Sequence, residues 1–318
     1  MEKERRASPA RRVALDALIA VEEGGAYAAQ ALGGRLERSG LPPRDRRLAT
    51  ELVYGVTRWR GRIDHSLRAH SKRPLERLTP CVRNALRLAA YQALFLRSVP
   101  GPVACSESVL LVKEREPWAA GFVNGVCRSL MRAGGEAPFP DPQRAPAEYL
   151  AAFHSHPLWL VERWLARLGF DSTASLLAAN NLPAAVTLRV NPLRARVEDV
   201  EAEFAARKIH AARGSLSPAA LRVEGAGAVD ELPGFAEGRF QVQDEGSQLV
   251  AWVVDPPAEG VVADLCAGPG GKSTHLAELL AQKGAGEGSK VWAFDVHPHR
   301  VELVVESARR LGVEGLVA

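Results

Sequence analysis

Two kinds of hydrophobic spacing divide this chain. From Ser8 to Met131 apolar residues return every three or four positions, as in RRVALDALIAVEE, VRNALRLAAYQALFL and AAGFVNGVCRSLMRAG. That is the spacing of one buried helix face. Ser8-Pro9 offers a capping residue and a proline suited to a first helical turn, and Gly134-Gly135 offers a stop. The pattern predicts an all-α domain of six or seven helices over residues 1–134. Residues 135–149 carry the prolines of a polar window and read as a linker. Residues 150–239 mix helical patterns (HPLWLVERWLARLG, VEDVEAEFAARK) with short strand-like runs (AVTLRVN, ALRVEG), which predicts a small α+β domain. From Phe240 to Ala318 the order becomes helix, strand, helix, strand, helix, through DEGSQLVAWVV, GVVADLC, GKSTHLAELLAQ, KVWAFDV and PHRVELVVESARRLG. This alternation marks the first part of a doubly wound α/β domain, with LGVEGLVA as a third strand beginning. So few strands are expected to leave apolar faces at Val291-Trp292-Ala293-Phe294 and Val301-Leu303-Val304 exposed, and the region marginally stable.

Charge sharpens this division. Residues 1–134 hold 24 Lys and Arg against 13 Asp and Glu, a net +11, whereas the remainder is net −7. A basic helical module ahead of a mildly acidic one suggests a polyanion partner for the first and a small molecule for the second, although arginine-rich solvated helix faces account for the same charge. At 47% hydrophobic the chain can fill several cores. It lacks an apolar run of the roughly 18–20 residues that a membrane span needs, so a cytoplasmic protein without a membrane partner is expected. Cys81, Cys105, Cys127 and Cys266 lack the spacing of a zinc site or a disulfide framework, so no metal is expected. With 6% aromatic residues there is no obvious base-stacking platform. The oligomeric state is not legible in the residues, and a monomer is the expectation.

The stretch VVADLCAGPGGKSTHLAEL, Val261 to Leu279, can be set against three templates. A phosphate-wrapping loop of the form G-x-x-x-x-G-K-[ST] needs a glycine where Cys266 stands. A dinucleotide fingerprint G-x-G-x-x-G needs one where Ser273 stands. A methyl-donor site asks for an acidic residue at the end of each of two successive strands, and Asp264 and Asp295 occupy those places. Asp295 follows Gly271 by 24 positions, close to the roughly 20 expected of an acceptor for ribose hydroxyls. The plainer alternatives are a tight strand-to-helix turn for the glycines and a helix-capping aspartate for Asp295.

These residues resemble a known family. DLCAGPGGKSTHLA is similar to the cofactor motif of the RsmB/Sun (NOL1/NOP/Sun) RNA (cytosine-5)-methyltransferases, and FQVQDEGSQLVAW to the segment just before it. ELVYGVTRWRGRID, LRLAAYQALFLRSVP and GFVNGVCR resemble the NusB-like domain carried in front by the RsmB branch, and TLRVNPLR the family's RNA-facing segment. The resemblance implies a multidomain fold: a NusB-like RNA-binding domain, a small RNA-facing α+β domain at 150–239, and a Rossmann-like methyltransferase domain from 240. It implies S-adenosylmethionine as cofactor, held by Cys266, Ala267, Gly268, Pro269, Gly270, Gly271 and Lys272. Asp295 would take the ribose hydroxyls and Arg300 line the adenosine side. The family often has alanine in place of Gly268, a difference expected to be tolerated. The implied reaction is methylation of carbon 5 of a cytosine in small-subunit rRNA. In the family the cysteines that perform it lie on later strands, so no catalytic residue is assigned in this chain and its own turnover is expected to be absent. The alternative is a non-catalytic NusB-like RNA-binding protein that keeps a methyltransferase scaffold.

Overall fold

A computed structural model describes residues 6–183, 185–225 and 229–318, and the chain divides between Leu182 and Pro183 into two units. The first is entirely helical among its described residues. Its opening helices are α1 (Pro9–Gly24), α2 (Ala28–Ser39), α3 (Pro43–Arg58), α4 (Arg60–His70), α5 (Pro80–Phe95), α6 (Gly101–Arg115) and α7 (Ala120–Arg132). Punctuation follows local chemistry. Pro9 stands at the start of α1 and left-handed Gly25 closes it, while the Thr79 hydroxyl accepts the Val82 N–H at 3.3 Å to cap α5. Ser8 occupies the capping position of α1, but its side chain accepts from Arg11 rather than from the helix backbone.

The periodic apolar face predicted from the sequence is the one that packs: Leu15, Leu52, Ile63, Leu67, Leu86, Leu111 and Leu130 are wholly buried in one cluster. Each such side chain contributes about 1.5–3 kcal/mol. Gly55 lets α3 and α5 approach, since a Cβ there would stand 2.0 Å from the Tyr91 ring. The irregular stretch after α7 is anchored by Phe139, which stacks on His65 at 5.1 Å and meets Phe153 edge-on at 5.2 Å. Then α8 (Pro146–His154) and α9 (Leu158–Asn180) pair around Leu150, Val161 and Leu177, with α9 broken at Gly169. Residues 150–182, grouped above with the strands, thus belong to the helical unit.

The second unit begins with β1 (Val186–Val190), α10 (Val197–Ala206), β2 (His210–Arg213), β3 (Ala220–Glu224) and β4 (Phe240–Val242). The strands form one antiparallel sheet in the order β2-β3-β1-β4. Phe240–Val242, which the sequence pattern attached to the last module, is an edge strand of this sheet. On one face Leu188, Val190, Leu221 and Phe240 pack with Phe204 of α10. Because strand side chains alternate, Thr187 and Arg189 leave β1 on the other face.

The remaining elements are α11 (Glu245–Val254), β5 (Val261–Asp264), α12 (Gly271–Gln282), β6 (Lys290–Ala293) and α13 (Pro298–Leu311), in the order the sequence predicts. β5 and β6 are parallel, and Val317 makes a parallel bridge to Val291, so the third strand lies beside β6. Trp292, Phe294 and Leu303 are exposed, as expected for this sheet. Val291 and Val304 are not: Val291 enters the cluster under α12, and Val304 packs against Gly270. α12 and the Gly270 turn supply the cover that the sequence pattern could not show.

Candidate cofactor-binding site

The turn between β5 and α12 is held from both sides. Asp264, ending β5, accepts the Cys266 N–H at 3.2 Å and the Ser273 hydroxyl at 2.7 Å, which ties the strand end to the first turn of the helix. The Ala267 N–H donates to the Phe294 carbonyl at 2.9 Å, and Phe294 N–H to the Asp264 carbonyl at 2.8 Å. Gly270 takes φ +102°, a backbone state that side chains disfavour, and a Cβ there would meet Val304 at 3.0 Å. Gly268 is needed for a different reason. A Cβ on it would lie 2.5 Å from the Arg300 Cβ and 2.7 Å from Asp295 Oδ2. The alanine that the resemblance allows at this position therefore has no room in the present packing.

Asp295, just past β6, accepts the His297 N–H at 2.9 Å through Oδ1 and the Gly268 N–H at 3.1 Å through Oδ2. The bond from His297, then that from Gly268 and the Arg300 charge 3.9 Å away, hold its carboxyl below the usual range despite partial desolvation. Its side chain is 5% exposed, with the 43% exposed Arg300 beside it. The aspartate thus caps the next turn and braces the glycine turn at once. Arg300, on α13, is the residue that covers it.

A cavity of about 200 Å³ opens on the other side of the turn, bounded by Cys266, Ala267, Gly268, Pro269, Gly271 and Lys272 and by Gln241 to Asp244 with Ser247. The first three N–H groups of α12, at Gly271, Lys272 and Ser273, lack helical partners by position, and the helix dipole adds positive potential there. These donors suit a carboxylate. Asp264 and Asp295 suit an ammonium group or hydroxyls. Seven predicted site residues, Cys266 to Lys272, are brought together in one turn, and six of them border the cavity. Asp295 and Arg300 do not line it; both meet the turn at Gly268. The wall formed by Gln241, Gln243, Asp244 and Ser247 was not assigned from the sequence, although FQVQDEGSQLVAW had marked the segment. A larger groove of about 290 Å³ runs between α10 and α12, but its lining from Val190 to Gln282 is mainly apolar and contains no strand-end acid. The smaller cavity has the chemistry.

Behind it lies a buried polar network. Arg189, fully buried, reaches from β1 to Glu278 on α12 at 2.7 Å, and Glu278 is equally inaccessible. Burial pushes the Glu278 carboxyl up, and the Arg189 charge offsets part of that rise. His275, one turn before Glu278, is held down to about 3 by burial and then by Arg189, so it is neutral at ordinary pH. Glu245 opens α11. Burial opposes its charge, yet Arg222 and the N–H groups of Leu216 and Ser217 outweigh burial and bring it down to about 2. The segment TLRVNPLR consequently differs from an RNA-facing surface at its centre: Arg189 and Asn191 are inaccessible, and Asn191 donates to the carbonyls of Gly238 and Leu311 at 3.0 Å each.

A parallel strand pair with a glycine turn, an acidic residue ending each strand and a helix N-terminus at the cavity define a Rossmann-like methyltransferase module, here preceded by a small antiparallel sheet and a helical unit. The NusB family matches residues 8–132, the ferredoxin-like domain of RsmF/B-like methyltransferases residues 156–230, and the 16S rRNA methyltransferase RsmB/F family residues 251–318. The chain belongs to the ribosomal RNA small subunit methyltransferase B family. It is 36% identical, over 95% of its length, to the probable member from Bacillus subtilis (strain 168) and 33% identical, over 96%, to that from Synechocystis, and spans 66% and 68% of those proteins. The Pseudomonas putida member is 32% identical and is spanned over 67% of its length. The chain thus covers about two thirds of its curated relatives. The crystal structure of PH0851 superposes with a TM-score of 0.76 at 27% identity, over 99% of this chain and 70% of that one. Among the described residues no helix is long and apolar enough to cross a membrane, and no group of three or more His, Cys, Asp or Glu side chains could hold a metal.

Proposed function

We propose that this protein serves S-adenosylmethionine-dependent methylation of carbon 5 of a cytosine in small-subunit rRNA, in the cytoplasm. The observation that carries the reading is the turn at 266–272, bordering a cavity and braced by Asp295 at Gly268, in a chain of the methyltransferase B family. Bound there, the cofactor supplies an electrophilic methyl group. The N–H groups of Gly271, Lys272 and Ser273 face the carboxylate of its methionine part, and Cys266 to Pro269 wrap the adjoining atoms. Asp295 accepts the ribose hydroxyls, and Arg300 lines the adenosine side. The basic residues of the helical unit neutralise RNA phosphates. As family modules the proposed boundaries are 1–134, 150–239 and 240–318, joined by 135–149, whereas the packing of the chain divides at Leu182 and Pro183 and places Phe240–Val242 in the antiparallel sheet.

No cysteine of residues 1–318 is assigned to catalysis in this reading. Cys81, Cys105 and Cys127 are buried in the helical unit, and Cys266 is an exposed turn residue. The second reading is an RNA-binding protein with a methyltransferase scaffold. Calorimetric titration with S-adenosylmethionine tests the site, and absence of binding removes the first reading. Incubation with labelled cofactor and unmodified 16S rRNA then separates the two. Binding of cofactor and RNA without label transfer is expected of these 318 residues, and 5-methylcytosine in the product would overturn the absence of a catalytic residue.

A further inference from the structure

The guanidinium of Arg189 has five N–H donors, and all five are engaged. Nε donates to Glu278 Oε2 at 3.1 Å, and Nη2 to Glu278 Oε1 at 2.7 Å and Thr274 Oγ1 at 3.2 Å. Nη1 donates to the Gly271 carbonyl at 2.7 Å and to Gln243 Oε1. The partners fall into two sets. Glu278, from the middle of α12, balances the charge and takes two N–H groups, and Thr274, in the first turn, takes a third. Gly271 and Gln243 both border the cavity. Gln243 in turn donates to the Ser247 carbonyl at 3.2 Å, which extends the hold to the first turn of α11.

The Gly271 carbonyl stands at the first position of α12, directly after Gly270 in its left-handed conformation, and the N–H groups of that turn face the cavity. Fixing that carbonyl fixes the direction of the neighbouring N–H groups. We propose that Arg189 is a positioning residue for the methyl donor: from the small antiparallel sheet it sets the Gly270-Gly271 turn and the Gln243 wall so that the helix N-terminus is aimed before the donor arrives. The donor's identity rests on the reading given under the proposed function, whereas the hold on the turn does not. Lysine, with three donors on a flexible stem, cannot reproduce the fork.

The test replaces the buried pair with apolar side chains, a change that commonly leaves a fold intact. In the ligand-free state, Arg189→Met with Glu278→Leu is expected to retain a cooperative melt. Amide exchange over residues 266–273 should quicken at least tenfold, while that of β3 stays as in the parent chain. Affinity for S-adenosylmethionine, measured by calorimetry, should fall tenfold or more, with Arg189→Lys between the two. If the double variant fails to fold, Arg189→Lys, which keeps the charge, is read by the same exchange experiment. A folded variant with parental exchange at 266–273 overturns the proposal, as does unchanged affinity. Faster exchange in the variant with no binding by the parent chain upholds the hold on the turn and removes the methyl-donor reading instead.

Discussion

In the helical unit Arg87 of α5 forks onto both oxygens of Asp64 at 2.8 Å and reaches Glu22 at 3.3 Å, so that it joins side chains of α1, α4 and α5 whose backbones are already complete helices. In the second unit Arg189 also forks onto a carboxylate, but it spends its remaining donors on a helix-opening carbonyl, a hydroxyl and an amide at a cavity wall. The first arginine therefore locks finished elements together. The second ties the first turn of a helix to a strand and to a cavity wall from distant segments. Buried polar side chains occur in both places: Asn84, Arg87 and Gln92 on α5, and Ser273, Thr274, His275 and Glu278 on α12. Burying polar groups costs stability unless they are paired, so what separates the two sites is what the partners do rather than how many there are.

This contrast can be broken from either side. The largest effect is expected for Arg189→Met alone, which leaves Glu278 buried and uncompensated and should cost about 3–5 kcal/mol in denaturant unfolding of the second unit. Arg87→Met should cost somewhat less, about 3 kcal/mol, because Glu22 keeps contact with water. Affinity for S-adenosylmethionine should be unchanged, and a matching loss there would erase the distinction between the two arginines. A pH effect comes next. The folded state holds His275 down to about 3, so below the ordinary histidine range the unfolded chain takes up a proton that the folded chain refuses. Stability from this group is complete above about pH 6.5 and is lost as pH falls toward 3, by roughly 1–2 kcal/mol between pH 6.5 and 5. His154 gives the helical unit the same sign to a lesser degree. Peptide-resolved amide exchange should therefore show the second unit opening first on acidification, and His275→Phe should flatten its slope. The smallest effect on stability is expected for Asp295→Ala. Its melting midpoint should move little while donor affinity drops roughly ten- to a hundredfold through lost charge-assisted bonds, and parental affinity in that variant would refute the ribose assignment.

The residues announced these two regions unequally. Helices α1–α7 and the order α11-β5-α12-β6-α13 follow from apolar periodicity, and the turn at 266–272 with Asp295 follows from spacing, because local sequence determines both. Arg189 was not legible. An arginine in a strand pattern reads as solvent-facing, and only its place in alternation with Leu188 and Val190, together with Glu278 between Leu276 and Leu279, hinted at a buried partner. β2 escaped for a related reason: HAAR has a weak strand signal, and pairing with β3 supplies what its own residues do not. Val304 likewise gave no sign of its burial, since its cover comes from a glycine more than thirty positions earlier. What stayed hidden in each case is a contact between distant segments.

Gly268 carries a consequence of this kind. Any residue except glycine at position 300 keeps the Cβ that a side chain at 268 would strike at 2.5 Å. Alanine at 268 therefore requires the whole amino end of α13 to stand further out. Position 268 is a spacer gauge: a missing methyl lets the amino end of α13 and the strand-end carboxylate lie directly against the glycine turn.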